Sequence, residues 1–162
     1  MAGLVAATAR DGRIRHVRDA AYLDWRFRNP LHSYRFVFGY RADELVGYLV
    51  LQRGRSAYAN ARRINLADWA AQSDSILRSL LESTIAFSSA PELVVWSATL
   101  SFDERRVFAD LGFAPTDPED QARGLPCILV RGVESDGRLP SGSQALLDIS
   151  NWDVRMIYTS FA

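Results

Sequence analysis

The fold is decided by the stretch that runs from Tyr34-Arg35-Phe36-Val37-Phe38-Gly39-Tyr40 to Leu111-Gly112-Phe113. Residues 34–40 and 45–52 alternate as strands around the polar turn 41–44, which is typical of a β-hairpin. Further strands are predicted over 63–70 and, as a strongly apolar run, over 93–98. A helix follows each of them: one runs from Ser73 or Asp74 to about 88, and the other begins at Ser101 or Asp103 and ends at Gly112. Strands interleaved with helices in this way predict an α/β protein with a mixed sheet.

The rest of the chain is less regular. We predict a short strand over 13–17, a helix over 20–27 capped by Asp19, and a strand over 127–131. Residues 1–12 are expected to form a loose lead-in, and residues 116–126 and 134–144 to form flexible loops. Because the 162 residues contain no internal repeat and no sign of a second domain, they predict a single domain.

Composition excludes several classes of protein. A net charge of zero provides no global field to attract nucleic acid or an anionic membrane, and no apolar run is long enough to span a bilayer. All nineteen Lys and Arg residues are Arg, which indicates the codon usage of a GC-rich bacterial genome and excludes a lysine nucleophile or base. One cysteine, Cys127, excludes an internal disulfide, and two histidines without clustered carboxylates predict no metal site. We therefore expect a cytoplasmic protein.

From about residue 14 onward, and best over 34–113, the chain resembles the GCN5-related N-acetyltransferase (GNAT) superfamily. The order of strands and helices and the final Leu111-Gly112-Phe113 carry this resemblance. Tyr22-Leu23-Asp24-Trp25-Arg26-Phe27, followed by Pro30, is also similar to the start of the C-terminal half of larger bacterial acetyltransferase-like proteins. The resemblance implies a strongly twisted mixed sheet flanked by helices, with a V-shaped acyl-CoA cleft between strands 64–69 and 93–98.

The resemblance also implies which residues would hold acetyl-CoA. In the family, pantetheine pairs with the backbone of the first cleft strand, and the pyrophosphate meets the loop and helix N-terminus that follow. The corresponding positions here are Leu66, Ala67, Gln72, Ser73, Asp74 and Ser75. The family's loop is rich in glycine, whereas this loop has none and places an acidic side chain, Asp74, near the expected pyrophosphate.

Two positions are candidates for catalysis. Asp68, on the acceptor side of the strand, could accept a proton from an amine, and the alternative is a carboxylate that pairs with an arginine or caps a loop. Ser101 occupies the position of a common Asn in the family, and Phe108 replaces the Tyr that protonates the departing thiolate, so Ser101 or water would have to donate that proton. Glu104 is expected to face solvent, and Trp69 to lie at the mouth of the cleft.

Two functions therefore remain open. The first is an N-acyltransferase that moves an acetyl group from acetyl-CoA to an unidentified amine. The second is a non-catalytic module of the same fold, with a structural, dimerising or regulatory role, that has lost tight CoA binding. The aromatic edge over 34–40 suggests a homodimer, and the segment over 22–27 suggests an upstream acetyltransferase-like half as partner. Neither nucleic acid nor a membrane is expected as a partner.

Overall fold

The computed structural model describes residues 1–9, 11–55, 62–97, 99–114 and 148–156. The predicted strand 127–131 and the predicted loops 116–126 and 134–144 lie outside these residues. In chain order the elements are α1 (Ala2–Thr8), β1 (Ile14–Arg15), α2 (Ala20–Phe27), β2 (Tyr34–Arg41), β3 (Glu44–Arg55), β4 (Arg62–Ala71), α3 (Asp74–Phe87), β5 (Glu92–Val94), α4 (Phe102–Asp110), a 3₁₀ turn (Ile149–Asn151) and β6 (Trp152–Asp153).

The main sheet has four strands in the order β2-β3-β4-β5. β2 pairs antiparallel with β3, β3 pairs antiparallel with β4, and β4 pairs parallel with β5. β1 and β6 form a separate two-stranded parallel sheet. This arrangement confirms the predicted mixed sheet.

The helix starts follow the sequence signals closely. Asp19 caps α2 by accepting a hydrogen bond from the Tyr22 N–H at 2.8 Å. Ser73 caps α3, and Ser101 caps α4 in a reciprocal capping box with Glu104. α4 ends just before Gly112, whose φ of +84° is a conformation that glycine adopts without strain.

Two predictions about the elements were wrong. Residues 2–8 form the helix α1 rather than a loose lead-in, because Leu4 and Val5 are buried against the sheet. A helix of two turns with two buried residues leaves little periodicity to detect in the sequence. The strand predicted over 93–98 covers only Glu92–Val94, because β5 has no pairing with β4 beyond that point.

The core lies on both faces of the sheet. One face packs against α3 and α4 through Leu49, Leu51, Leu66, Trp69, Leu77, Leu80, Leu81, Leu100, Val107 and Phe108. The other face packs against α1 through Leu4, Val5, Tyr48, Val50, Ala67 and Ala70. Among the described residues, no helix has the length and apolar character needed to cross a membrane.

Close contact between β3 and α3 depends on Gly47, because a Cβ there would lie 2.7 Å from Ile76 Cγ2 and 2.8 Å from Leu80 Cδ1. We expect Gly47→Ala to lower the free energy of unfolding by about 1–3 kcal/mol, since α3 would have to shift away from the sheet. Gly3→Ala is the matched control, because a Cβ at Gly3 in α1 would meet nothing within 4 Å. Urea unfolding measures both variants, and wild-type stability in Gly47→Ala would contradict this packing.

Candidate functional site

The candidate site begins where β4 parts from β5. The two strands pair only at Arg63–Glu92, Ile64–Leu93 and Asn65–Val94. β4 then continues to Ala71 beside β3, but it has no strand partner on its other edge among the described residues. Pairing between β4 and β5 therefore ends at the place where the resemblance implied a V-shaped opening.

A β-bulge bends β4 at the start of this opening. Val50 lies opposite Asp68 and Leu51 lies opposite Leu66, so Ala67 is an extra residue in β4. A bulge bends its strand and increases the local twist. Because the side chains of Leu66 and Ala67 are fully buried in the core, only their backbone groups could meet a ligand.

A cavity of about 200 Å³ lies beyond the bulge, between the end of β4 and the starts of α3 and α4. Four of the predicted site residues line it, namely Gln72, Ser73, Asp74 and Ser101. The other lining residues are Thr8, Asp11, Arg13, Arg15, Arg18, Trp69, Ala70, Ala71, Leu77, Glu104, Asp153 and Arg155. Leu66, Ala67, Asp68 and Ser75 do not line the cavity.

The N-terminus of α3 forms one wall of the cavity. Ser73 Oγ accepts a hydrogen bond from the Ile76 N–H at 3.4 Å and lies 2.9 Å from Ser75 Oγ. The Gln72 side-chain amide donates to Glu44 at 2.8 Å, which ties the loop to the hairpin. A helix N-terminus favours an anion, whereas the Asp74 carboxylate in the first turn repels one.

Asp68 is fully buried beneath the opening. One carboxylate oxygen accepts from the Arg18 guanidinium, and the other accepts from the Tyr48 hydroxyl at 2.8 Å. Burial first, and then the charge of Asp68, raises the pKa of the Tyr48 phenol, which keeps that hydroxyl protonated as a donor. Pairing with an arginine was the alternative to a catalytic role for Asp68, and the structure shows this pair with Arg18. The role of Asp68 as a base stays a prediction.

Glu104 does not face solvent, so that expectation was wrong. Its carboxylate accepts from the Ser101 N–H at 2.8 Å, from Trp69 Nε1 at 2.9 Å and from Arg155 at 2.9 Å. Burial alone would raise the pKa of Glu104, but the Arg155 charge and these hydrogen bonds lower it to about 2. The charged carboxylate therefore joins β4 to α4 across the opening.

Arg155 completes this bridge and was missed in the sequence. Its guanidinium carbon lies 3.5 Å from the centroid of a Trp69 ring, in a cation–π contact, and its Nε lies 2.5 Å from Asp153. Burial lowers the pKa of Arg155, but the charges of Glu104 and Asp153 outweigh burial and raise it. Arg155 is 51 residues from Glu104 in the chain, so no local spacing signalled the pair. Trp69, expected at the cleft mouth, lines the cavity but is largely buried.

The charges that line the cavity balance. Its four arginines are matched by the carboxylates of Asp11, Asp74, Glu104 and Asp153. Recognition of an anion here would therefore depend on local geometry rather than on net charge. Within the described parts of the chain, no group of three or more metal-ligating side chains comes together.

Comparison with known proteins gives matches at the level of structure. No protein-family model matches the chain, and no curated protein matches its sequence. Its structure is similar to that of the ribosomal-protein-alanine N-acetyltransferase from Brucella melitensis biovar Abortus 2308, with a TM-score of 0.51 and 14% identity. That match covers 81% of this chain and 90% of the Brucella chain.

Two further solved structures are more distant. TTHA1254 from Thermus thermophilus matches with a TM-score of 0.44 and 16% identity, over 71% of this chain and 80% of that chain. A probable acetyltransferase matches with a TM-score of 0.44 and 16% identity, over 70% of this chain and 77% of that chain. On the Brucella match and on the strand order, the chain has the GNAT fold.

Proposed function

We propose that this protein is an N-acyltransferase that moves an acetyl group from acetyl-CoA to an amine. The observation that carries the proposal is that β4 loses its pairing with β5 after Asn65 and ends at a cavity beside the N-terminus of α3. The fold it shares with an N-acetyltransferase supports the reaction class by analogy, since one fold can host several functions.

The residues around the cavity fit an acyl-CoA in most respects. The N-terminus of α3, with the hydroxyl of Ser73, offers donors to a pyrophosphate. The bulge at Ala67 interrupts the regular strand backbone near the place where a thioester would lie. Asp74 opposes the phosphates, so we expect weaker binding than a glycine-rich loop would provide. The thioester supplies an acyl group activated for transfer.

The proposed reaction needs a proton donor, and we assign that role to Ser101, which lines the cavity. The amine nitrogen bonds to the acyl carbon as the carbon–sulfur bond breaks, the amine releases a proton to water, and the sulfur takes one from Ser101. Ser101 Oγ accepts a hydrogen bond from the Glu104 N–H at 3.2 Å and so retains its own proton for donation. Phe108 has no hydroxyl and is buried in the core. Water then restores the Ser101 proton.

Asp74 provides the direct test of acetyl-CoA binding. We expect Asp74→Asn to tighten the dissociation constant for acetyl-CoA about fivefold, because about 1 kcal/mol of repulsion is removed. Glu82→Gln is the matched control, since it removes one negative charge from an exposed site two turns further along α3. Isothermal titration calorimetry measures the dissociation constant for acetyl-CoA in the wild type and in both variants. If the wild type and Asp74→Asn both fail to bind at millimolar acetyl-CoA, the enzyme proposal fails and the non-catalytic module remains.

Ser101 provides the test of chemistry. Thiol release from acetyl-CoA is followed with a panel of amines that includes a polyamine and an N-terminal-alanine peptide. We expect Ser101→Ala to lower kcat about 100-fold without changing KM for acetyl-CoA, because a general acid is lost. Ser101→Thr, which keeps both the hydroxyl and the helix cap, should retain most activity. Wild-type kcat in Ser101→Ala would instead identify water as the donor.

A further inference from the structure

A second cavity lies at the other end of β4. The second cavity has a volume of about 500 Å³ and lies at the Arg62 end of the strand. The first cavity lies at the Ala71 end. At the strand rise per residue, Arg62 and Ala71 are about 30 Å apart. The lining of the second cavity includes four arginines, Arg35, Arg53, Arg62 and Arg63. We call this cavity the arginine groove.

Strand register brings three of these arginines to one face of the sheet. Arg35 lies opposite Leu51, and Arg53 lies opposite Ile64. Because side chains alternate along a strand, Arg53 shares the face of Leu51, and Arg62 shares the face of Ile64. This is the face that packs against α3. The arginines therefore extend the α3 side of the sheet beyond its apolar core.

Among the described residues that line the arginine groove, none is Asp or Glu, unlike the cavity at the other end of β4. The nearest acid in the strand register is Glu92, which lies opposite Arg63 and not opposite the other three arginines. None of the four arginines forms an ion pair with any residue in the described part of the chain. The Arg63 Nε is buried and has no hydrogen-bond partner there. The C-terminus of α3 adds roughly half a negative charge, which is small against the three guanidinium charges of Arg35, Arg53 and Arg62.

Hydroxyls and an aromatic ring complete the groove. The end of α3 and the residues after it contribute Ser83, Thr84, Phe87, Ser88 and Ser89. Phe87 is 90% exposed, so its ring offers an apolar surface beside the charges. The volume lies within the range of about 300–1,000 Å³ that is usual for small-molecule sites.

We propose that the arginine groove binds a small organic anion that carries a phosphate or carboxylate group and an apolar ring. Arg35, Arg53 and Arg62 hold the anionic group through charge-assisted hydrogen bonds. Phe87 packs against the ring. The site is separate from the proposed acetyl-CoA site and does not depend on acyl transfer.

Phenyl phosphate is the probe that combines both features. Titration followed by calorimetry should show saturable binding of phenyl phosphate to the wild type and weaker binding of inorganic phosphate and of benzyl alcohol. We expect Arg53→Gln and Arg62→Gln each to weaken phenyl phosphate binding about tenfold, because each removes a charged donor. Phe87→Ala should weaken the binding of phenyl phosphate but leave the binding of inorganic phosphate unchanged. Arg106→Gln, an exposed arginine of α4 outside the groove, is the control.

Several results would overturn the proposal. Absence of saturation by phenyl phosphate in the folded wild type would do so, as would equal binding by the wild type, Arg53→Gln and Arg62→Gln. Saturable binding of oligoglutamate without binding of phenyl phosphate would also overturn it and point to an acidic polypeptide. Thermal unfolding of each variant confirms that it is folded. Arg53 and Arg62 are both exposed, so their loss should leave the core intact.

Discussion

The structure depends on the unequal lengths of two neighbouring strands. β4 runs from Arg62 to Ala71, whereas β5 covers only Glu92–Val94. After the third pair, backbone hydrogen bonds no longer join β4 to β5. Side chains span this edge of β4 instead, since Trp69 donates a hydrogen bond to Glu104 and Arg155 contacts both residues. The cavity at the starts of α3 and α4 exists because this edge is spanned by side chains rather than by a longer ladder of paired backbone.

This arrangement buries charged side chains, and each buried carboxylate named here is paired with an arginine. Removing one partner of a buried ion pair leaves an uncompensated charge, which destabilises a protein by about 3–5 kcal/mol. Asp68 is matched by Arg18 and Tyr48, and Glu104 is matched by Arg155. These pairs join segments that are far apart in sequence. The same side chains that shape the candidate site therefore also hold the fold together, so substitutions there must be judged on stability as well as on activity.

The sequence predicted the parts of the fold that local chemistry determines. The hairpin, β4, α3 and the caps at Asp19, Ser73 and Ser101 each carry their signal within a few residues. The helix α1 and the short β5 depend on what they pack against, and short-range patterns do not contain that information. Ser73 and Ser101 line one cavity because they begin the two helices that follow the cleft strands. The inward turn of Glu104 depends on Arg155, which no spacing in the sequence connects to it.

Acyl-CoA binding at the place where β4 loses its pairing with β5 is the proposal on which the function depends. Amide hydrogen exchange, measured by mass spectrometry with and without acetyl-CoA, tests that claim most directly because it reports where the backbone is protected. We predict slower exchange over residues 69–76, at the end of β4 and the first turn of α3, and over residues 101–105 at the start of α4. Unchanged exchange at saturating acetyl-CoA, or protection confined to residues 34–41 of β2, would contradict it.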